Sequence, residues 1–86
     1  MKVRIKVCGV RRLEDVDACV AAGVDAVGFN FHPESPRYVA PEAAAPLVAR
    51  LPAHVVPVGV FVRLTPEETR AAIDRSGVRA IQLHGD

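Results

Sequence analysis

The sequence predicts an α/β fold with a parallel sheet, built from repeated strand–helix units. Four short segments carry strand-like apolar patterns, and the segments between them carry apolar residues at the period of an α-helix. The four predicted strands follow one another at intervals of roughly 25 residues, which is the spacing of βα units joined by right-handed crossovers. The 86 residues contain no linker-like segment, so we expect one folding unit or part of one.

The first strand–helix unit and the second strand are predicted near the amino terminus. Residues 3–8 alternate between apolar and polar side chains and end at Gly9, which is typical of a strand. From Leu13 the period changes to that of a helix with one apolar stripe, and Gly23 stands where such a helix ends. Residues 25–31 then predict the second strand.

A proline-rich loop and a proline-containing helix follow the second strand. The prolines among residues 32–37 exclude regular structure there, whereas Pro41 suits the start of a helix. The apolar stripe of this second helix reaches Leu51. Pro46 lies inside the helix and removes a backbone donor, so we expect its first turns to be kinked or shortened.

The last helix and the last two strands complete the predicted sheet. Residues 55–62 are an almost continuous apolar run, as expected of a parallel strand that is covered on both faces. Residues 65–68 supply an N-cap hydroxyl, a proline at the first helical position and a glutamate placed for a reciprocal capping box. The third helix should therefore begin there and end at Gly77, and residues 78–84 predict the fourth strand.

Composition and charge exclude several classes of function. Eleven basic and ten acidic side chains leave a net charge of +1, so no overall field attracts nucleic acid or an anionic membrane. No apolar run approaches the roughly 20 residues of a membrane-spanning helix, and the chain begins like a strand rather than a signal peptide, which favours a cytoplasmic protein. Cys8 and Cys19 fit neither a disulfide framework nor paired zinc motifs, so we expect reduced thiols and no metal site.

Polar side chains occur near the carboxyl ends of three predicted strands. They are Lys6 and Cys8, Asn30 and His32, and Gln82 and His84. Parallel strands end at the same edge of a sheet, and ligands bind at that edge. The apolar residues of the outer strands are expected to pack under the helices: Val3, Ile5, Val7, Ile81 and Leu83. The polar residues of those strands would then share the opposite face and form a pocket, although Gln82 or His84 alone could equally be an ordinary core or surface residue.

Cys8 and Arg37 are the candidates with the most specific chemistry. Cys8 lies near the start of a helix with Lys6 on its face, and positive charge and helix amides both favour a thiolate that can act as a base. The alternative for Cys8, and our interpretation of Cys19, is a small buried apolar side chain. Arg37 follows a rigid Ser-Pro pair and could anchor a carboxylate or phosphate, or it could be an ordinary solvated loop residue. We interpret Arg11 as a solvated surface residue.

Seven short blocks of the sequence occur in a specific order. They are Lys6-Val7-Cys8-Gly9, Leu13-Glu14-Asp15, Gly28-Phe29-Asn30-Phe31, Ser35-Pro36-Arg37-Tyr38-Val39, Pro41-Glu42, Val58-Gly59-Val60-Phe61-Val62 and Gln82-Leu83-His84-Gly85-Asp86. In this order the blocks resemble the phosphoribosylanthranilate isomerase family of tryptophan biosynthesis. The resemblance implies a (βα)8 TIM barrel, of which residues 1–86 would form the amino-terminal half with four strands and three helices.

The resemblance also implies a reaction and roles for individual residues. The family catalyses the Amadori rearrangement of N-(5-phosphoribosyl)anthranilate to 1-(2-carboxyphenylamino)-1-deoxyribulose 5-phosphate, without a metal or organic cofactor. Cys8 matches the general base, and Arg37 matches the arginine that holds the anthranilate end of this small-molecule substrate. Three further positions are expected to line the substrate pocket: Lys6, Gln82 and His84. The general acid and the phosphate-binding loops are expected beyond Asp86.

Two features of the chain qualify the resemblance. Arg11 stands where many relatives carry a helix-capping threonine, so the first helix should begin less firmly. A complete barrel needs roughly 200 to 250 residues, so four strands leave both sheet edges unpaired. We expect the 86-residue piece to be inactive by itself and to pair with a missing carboxyl-terminal half.

Two alternatives to this function stay open. One is a non-catalytic half-barrel that self-associates or collapses into a flavodoxin-like open sheet. The other is a related phosphosugar barrel such as indoleglycerol-phosphate synthase, whose lysine-based chemistry would need more than Lys6.

Overall fold

The computed structural model describes residues 4–84, and its four strands and three helices follow the predicted order. The strands are β1 (Lys6–Cys8), β2 (Ala26–Asn30), β3 (Val56–Val62) and β4 (Ala80–His84), and the helices are α1 (Leu13–Ala22), α2 (Pro41–Arg50) and α3 (Pro66–Ser76). All strands are parallel and lie in the order β1-β2-β3-β4. The predicted α/β fold is therefore confirmed. Within residues 4–84, no helix has the length and apolar character that crossing a membrane requires.

The outer strands are shorter than the sequence analysis predicts. The strand predicted over residues 3–8 begins, as β1, at Lys6, and Val3 lies outside the described residues. The strand predicted from residue 78 begins at Ala80, since Val78 is buried in the core before pairing starts. Gly85 and Asp86 also lie outside the described part, as does the side chain of His84.

The helix ends follow the local sequence signals. Thr65 Oγ1 accepts a hydrogen bond from the Glu68 amide at 3.1 Å, and Glu68 Oε1 accepts one from the Thr65 amide at 2.9 Å, so the predicted capping box of α3 is confirmed. Gly23 and Gly77 end α1 and α3 with φ angles of 80° and 81°, a conformation that favours glycine. The N-cap of α1 is Arg12, whose side chain makes no capping bond.

The proline inside α2 does not interrupt the helix. We expected Pro46 to kink or shorten the first turns, yet α2 runs from Pro41 to Arg50. Pro46 removes the amide that would bond to the Glu42 carbonyl, but both residues are exposed, so water can solvate that carbonyl. The shortening that we expected is therefore wrong.

The core lies between the sheet and the three helices. Val27, Phe29 and Phe61 are at most 1% exposed and point from the strands toward the helices, where they pack with residues such as Val16 and Ala44. We call this side of the sheet the helix face. Residues that are paired in a parallel sheet share a face, so the register places the alternate positions on the other side, which we call the open face. Eleven of its positions are Lys6, Cys8, Ala26, Gly28, Asn30, Val56, Val58, Val60, Val62, Ala80 and Gln82.

The two edges of the sheet are covered less well than predicted. Val7 packs against the core, but Ile5, Ile81 and Leu83 are 49%, 46% and 70% exposed. The expectation that these three residues pack under helices is wrong. Within the described residues, each edge strand has a neighbouring helix toward the middle of the sheet and none beyond its outer edge, so its apolar side chains are only partly covered. Ile81 and Leu83 instead line an open groove beside α3, together with Leu64, Pro66, Thr69, Arg70 and Ile73.

Candidate active site

The thiol of Cys8 lies at the carboxyl end of β1 and is exposed. Cys8 pairs with Gly28 of β2, and a Cβ atom added at Gly28 would lie 2.9 Å from the Cys8 sulfur. Gly28 therefore provides the space that the thiol occupies on the open face. The amides of Gly9 and Val10 both donate to the Gly28 carbonyl, at 3.0 and 3.3 Å, so the chain immediately after Cys8 is held against β2.

The side chain of Arg37 lies directly over Gly9, the residue that follows Cys8. A Cβ atom added at Gly9 would be 2.5 Å from Cδ of Arg37 and 3.3 Å from its Nε and Nη1 atoms. Gly9 also has a φ angle of +85°, which favours glycine independently of this contact. The structure thus places Arg37 against the residue that follows Cys8 in the chain.

The loop that carries Arg37 is shaped by its own hydrogen bonds. Asn30 Oδ1 accepts from the His32 amide at 2.9 Å, and Ser35 Oγ accepts from the Arg37 amide at 3.1 Å. The Tyr38 amide donates to the Ser35 carbonyl at 3.1 Å. Asn and Ser side chains commonly accept such bonds from amides two residues ahead, so this function of Asn30 was readable from its place before a proline-rich loop.

Lys6 and Gln82 meet on the open face. The Lys6 ammonium donates a hydrogen bond to Oε1 of Gln82, which links the two outer strands across this face. Their predicted place on one face is therefore confirmed. The backbone of His84 pairs with Val62 at the carboxyl end of β4, but its side chain lies outside the described residues, so its predicted contact with substrate stays a prediction. The imidazole of His32 lies 3.8 Å from the carboxylate of Glu34 in its own loop.

Arg11 is the residue near the site that the sequence analysis missed. Its Nη1 atom donates to the Pro36 carbonyl at 3.1 Å, whereas we had interpreted Arg11 as a solvated surface residue. The two partners are 25 residues apart, and no local pattern predicts a contact at that distance along the chain. Only the presence of Arg11 in the loop after β1 could have suggested it.

The arrangement combines one thiol with three polar or cationic groups. Cys8, Arg37, Lys6 and Gln82 lie at the open face or its carboxyl-end edge, and the buried residues Val58 and Val60 form an apolar floor between the outer strands. Among the residues that the structure describes, no three His, Cys, Asp or Glu side chains form a group that could hold a metal ion. Acid–base chemistry by the thiol and binding of an anion by the cations are what these groups can supply.

A parallel βα array with its functional side chains at the carboxyl ends of the strands is the architecture of the βα-barrel enzymes. The sequence model of the N-(5'-phosphoribosyl)anthranilate (PRA) isomerase family matches residues 5–86. The chain belongs to this family.

Individual relatives agree with the family assignment. The chain is 56% identical to the N-(5'-phosphoribosyl)anthranilate isomerase of Dechloromonas aromatica over 86 residues, which is all of this chain and 41% of that protein. It is 48% identical to the enzyme of Herminiimonas arsenicoxydans over 85 residues, 99% of this chain and 37% of the relative. The chain therefore spans about two-fifths of the length of these curated relatives.

Solved structures share the fold closely. The phosphoribosylanthranilate isomerase from Thermus thermophilus superimposes with a TM-score of 0.93 at 42% identity, over 98% of this chain and 42% of that one. A phosphoribosylanthranilate isomerase in complex with reduced 1-(o-carboxyphenylamino)-1-deoxyribulose 5-phosphate superimposes with a TM-score of 0.95 at 45% identity, over 99% of this chain and 44% of that one. These shares agree with the expectation of half a (βα)8 barrel.

Proposed function

We propose that this chain supplies the half of a phosphoribosylanthranilate isomerase that carries the general base and binds the anthranilate carboxylate. The observation that supports the proposal most directly is the stacking of Arg37 over Gly9, which brings a guanidinium group next to the residue that follows the Cys8 thiol. One structural relative was solved with a reduced product that contains a carboxylate and a phosphate. Arg37 and Lys6 at one edge of the sheet suit a ligand with these negative charges.

In this proposal the reaction is an internal aldose-to-ketose conversion in which two protons move. An acid from the remainder of the barrel protonates the ring oxygen of the ribose, so the ring opens to a Schiff base. The Cys8 thiolate then takes the proton from carbon 2, and the electron pair of that C–H bond forms the enolamine. Tautomerisation of the enolamine gives the ketose, and the overall composition of the substrate is unchanged.

Arg37 and Lys6 have binding roles in this scheme. A guanidinium group can form two parallel hydrogen bonds to a carboxylate, so Arg37 holds the anthranilate ring at the edge of the pocket. Lys6 and Gln82, which are hydrogen-bonded to each other, line the floor beneath the sugar. His84 is assigned to the same pocket by the alternation of the sequence in the fourth strand and by the family resemblance.

The remainder of the barrel is expected to cover the edges of this sheet. Ile5 at one edge and Ile81 and Leu83 at the other are exposed apolar side chains on the helix face. Apolar residues in these positions are stabilised when a further helix packs on them. We therefore propose that the chain functions together with the carboxyl-terminal part of the barrel, which would also supply the general acid and the phosphate-binding loops.

A turnover measurement on two proteins tests the proposal. The complete barrel, made by joining residues 1–86 to the remaining βα units, should convert N-(5-phosphoribosyl)anthranilate, whose disappearance can be followed by the loss of anthranilate fluorescence. The 86-residue chain alone should not, because the proposal places the acid outside it. Turnover by the isolated chain, or none by a folded complete barrel, would contradict the proposal.

The exposed edge residues also favour a second candidate function, a non-catalytic half-barrel that pairs with a copy of itself. In this candidate β4 of one copy would pair with β1 of the other, and the two copies would cover Ile5, Ile81 and Leu83. The mass of the single denatured chain, purified from its natural source, distinguishes the two candidates. A chain of 9.2 kDa supports the self-paired form. A product about twice that mass or more supports the complete barrel.

A further inference from the structure

One hydrogen bond joins the loop after β1 to the loop that carries Arg37. Nη1 of Arg11 donates to the carbonyl oxygen of Pro36 at 3.1 Å. Arg11 lies three residues after Cys8, and Pro36 immediately precedes Arg37. The Arg11 side chain therefore connects the segment that holds the thiol to the segment that holds the guanidinium group.

The neighbouring arginine makes a different contact. Nε of Arg12 lies 3.5 Å from Oδ2 of Asp15, within the first turn of α1, and its side chain is 70% exposed. Arg11 and Arg12 carry the same charge at adjacent positions, so the contact with Pro36 distinguishes Arg11 from a general cationic surface.

The hydrogen bonds within the Arg37 loop do not fix the position of Arg37 over Gly9. The bonds that Ser35 Oγ and Asn30 Oδ1 accept from backbone amides join residues within the loop or at the end of β2, so they determine its shape. They do not determine the distance between the loop tip and β1. The bond from Arg11 does, because Arg11 belongs to the loop after β1, and a charged donor makes this bond stronger than a neutral one.

We propose that Arg11 is a positioning residue that holds Arg37 over Gly9 and so sets the distance between the carboxylate anchor and the thiol. The inference rests on the proposed isomerase function, in which Arg37 binds the anthranilate carboxylate. Loss of the bond lets the loop tip move away from β1, and part of the binding energy of the substrate is then spent on reordering the loop. The effect falls on substrate binding, since the Cys8 thiol keeps its place beside Gly28.

The test compares three variants of the complete barrel. Arg11→Met, which keeps the side-chain length but removes the donor, should raise KM about fivefold and change kcat less than about twofold. Arg12→Met removes the same charge one residue away and should leave both constants unchanged. Arg11→Lys keeps a charged donor and should recover most of the loss in KM. Equal KM values for Arg11→Met and Arg12→Met would overturn the proposal, and so would an Arg11→Lys variant that behaves like Arg11→Met.

A second readout does not depend on turnover. Trypsin cleaves after arginine, so the rate of cleavage between Arg37 and Tyr38, followed by mass spectrometry, reports how firmly this loop is held. Cleavage there should be faster in Arg11→Met than in the wild type or in Arg12→Met. Equal cleavage rates would refute the positioning role of Arg11 even where the isomerase assignment holds. A folded wild-type barrel without isomerase activity would refute the proposed function instead, so the two failures are distinguishable.

Discussion

The loops after β1 and β3 each lead into a helix, but they use their residues differently. The loop after β3 ends in a complete capping box, so the amides of Thr65 and Glu68 are both satisfied where α3 begins. The loop after β1 ends at Arg12, which provides no side-chain cap, and its Arg11 side chain bonds to another loop. The loop after β1, which borders the candidate site, therefore lacks a side-chain cap for its helix and makes a long-range contact instead. Departures of this kind from local sequence preferences are common at functional sites.

Among residues of the loop after β1 and the strand before it, replacing the Cys8 thiol should change activity most. Cys8→Ser in the complete barrel should lower kcat about 100-fold or more, because a hydroxyl is a far weaker base than a thiolate and acid–base catalysis contributes this much. Cys19→Ser is the control. Burial, together with the nearby Asp15 carboxylate, raises the pKa of the Cys19 thiol, so this group stays protonated and should not contribute. Near-normal turnover by a folded Cys8→Ser variant would refute the assignment of the base.

The contact between Gly9 and Arg37 can be broken by one added methyl group. Gly9→Ala should displace Arg37 and raise KM about tenfold, the scale of a lost charged hydrogen bond. Gly23→Ala is a matched control, since Gly23 has a similar φ angle of 80° but nothing within 4 Å of an added Cβ atom. Both variants should lose about 1 kcal/mol of stability from the left-handed backbone. If their KM values were equal, the stacking of Arg37 over Gly9 would have no role in binding.

The stability of variants at the N-caps of α3 and α1 tests how the two loops differ. Thr65→Ala should lower the free energy of unfolding by about 1 kcal/mol, because it removes the capping box of α3. Arg12→Ser should raise it by about 0.5 kcal/mol, because it gives α1 the side-chain cap that it lacks. Urea unfolding of the complete barrel measures both changes. A stabilising Thr65→Ala or a destabilising Arg12→Ser would show that local capping does not explain how the two loops differ.

An ion pair joins α1 and α2 away from the candidate site, and removing it should change the free energy of unfolding only slightly. Arg50 donates to both carboxylate oxygens of Asp17, at 2.8 and 3.0 Å, and this lowers the pKa of Asp17 below its ordinary value of 3.8. A carboxylate with a lowered folded-state pKa contributes stability at pH values above its ordinary pKa, and that contribution is lost as the pH falls through the folded-state value.

The pH dependence of unfolding measures this pair. Asp17→Asn should unfold at a slightly lower urea concentration than the wild type at pH 7, and the difference should vanish once the pH falls below the lowered pKa of Asp17. Glu14→Gln removes a charge from an exposed position of the same helix and serves as the control for net charge. A difference between wild type and Asp17→Asn that persists at low pH would mean that the pair does not act through charge.

The helices and strands of this protein, and the chemistry at their ends, follow from short stretches of its sequence. Strand and helix periods, the capping box at Thr65 and the terminating glycines act over a few residues, so their outcome follows from the local sequence. Alternation along the strands was also enough to place Lys6 on one face with Gln82. The order of the sequence blocks pointed to the family that the comparisons later confirmed.

Which of these residues touch each other depends on how the segments pack in three dimensions. The stacking of Arg37 over Gly9 and the bond from Arg11 to Pro36 join positions more than 20 residues apart, and both depend on how two loops approach each other. The exposure of Ile81 and Leu83 likewise depends on whether a neighbouring helix is present, which no strand pattern encodes. Local preferences determine what each segment becomes, whereas contacts between segments depend on the shared geometry of the whole sheet.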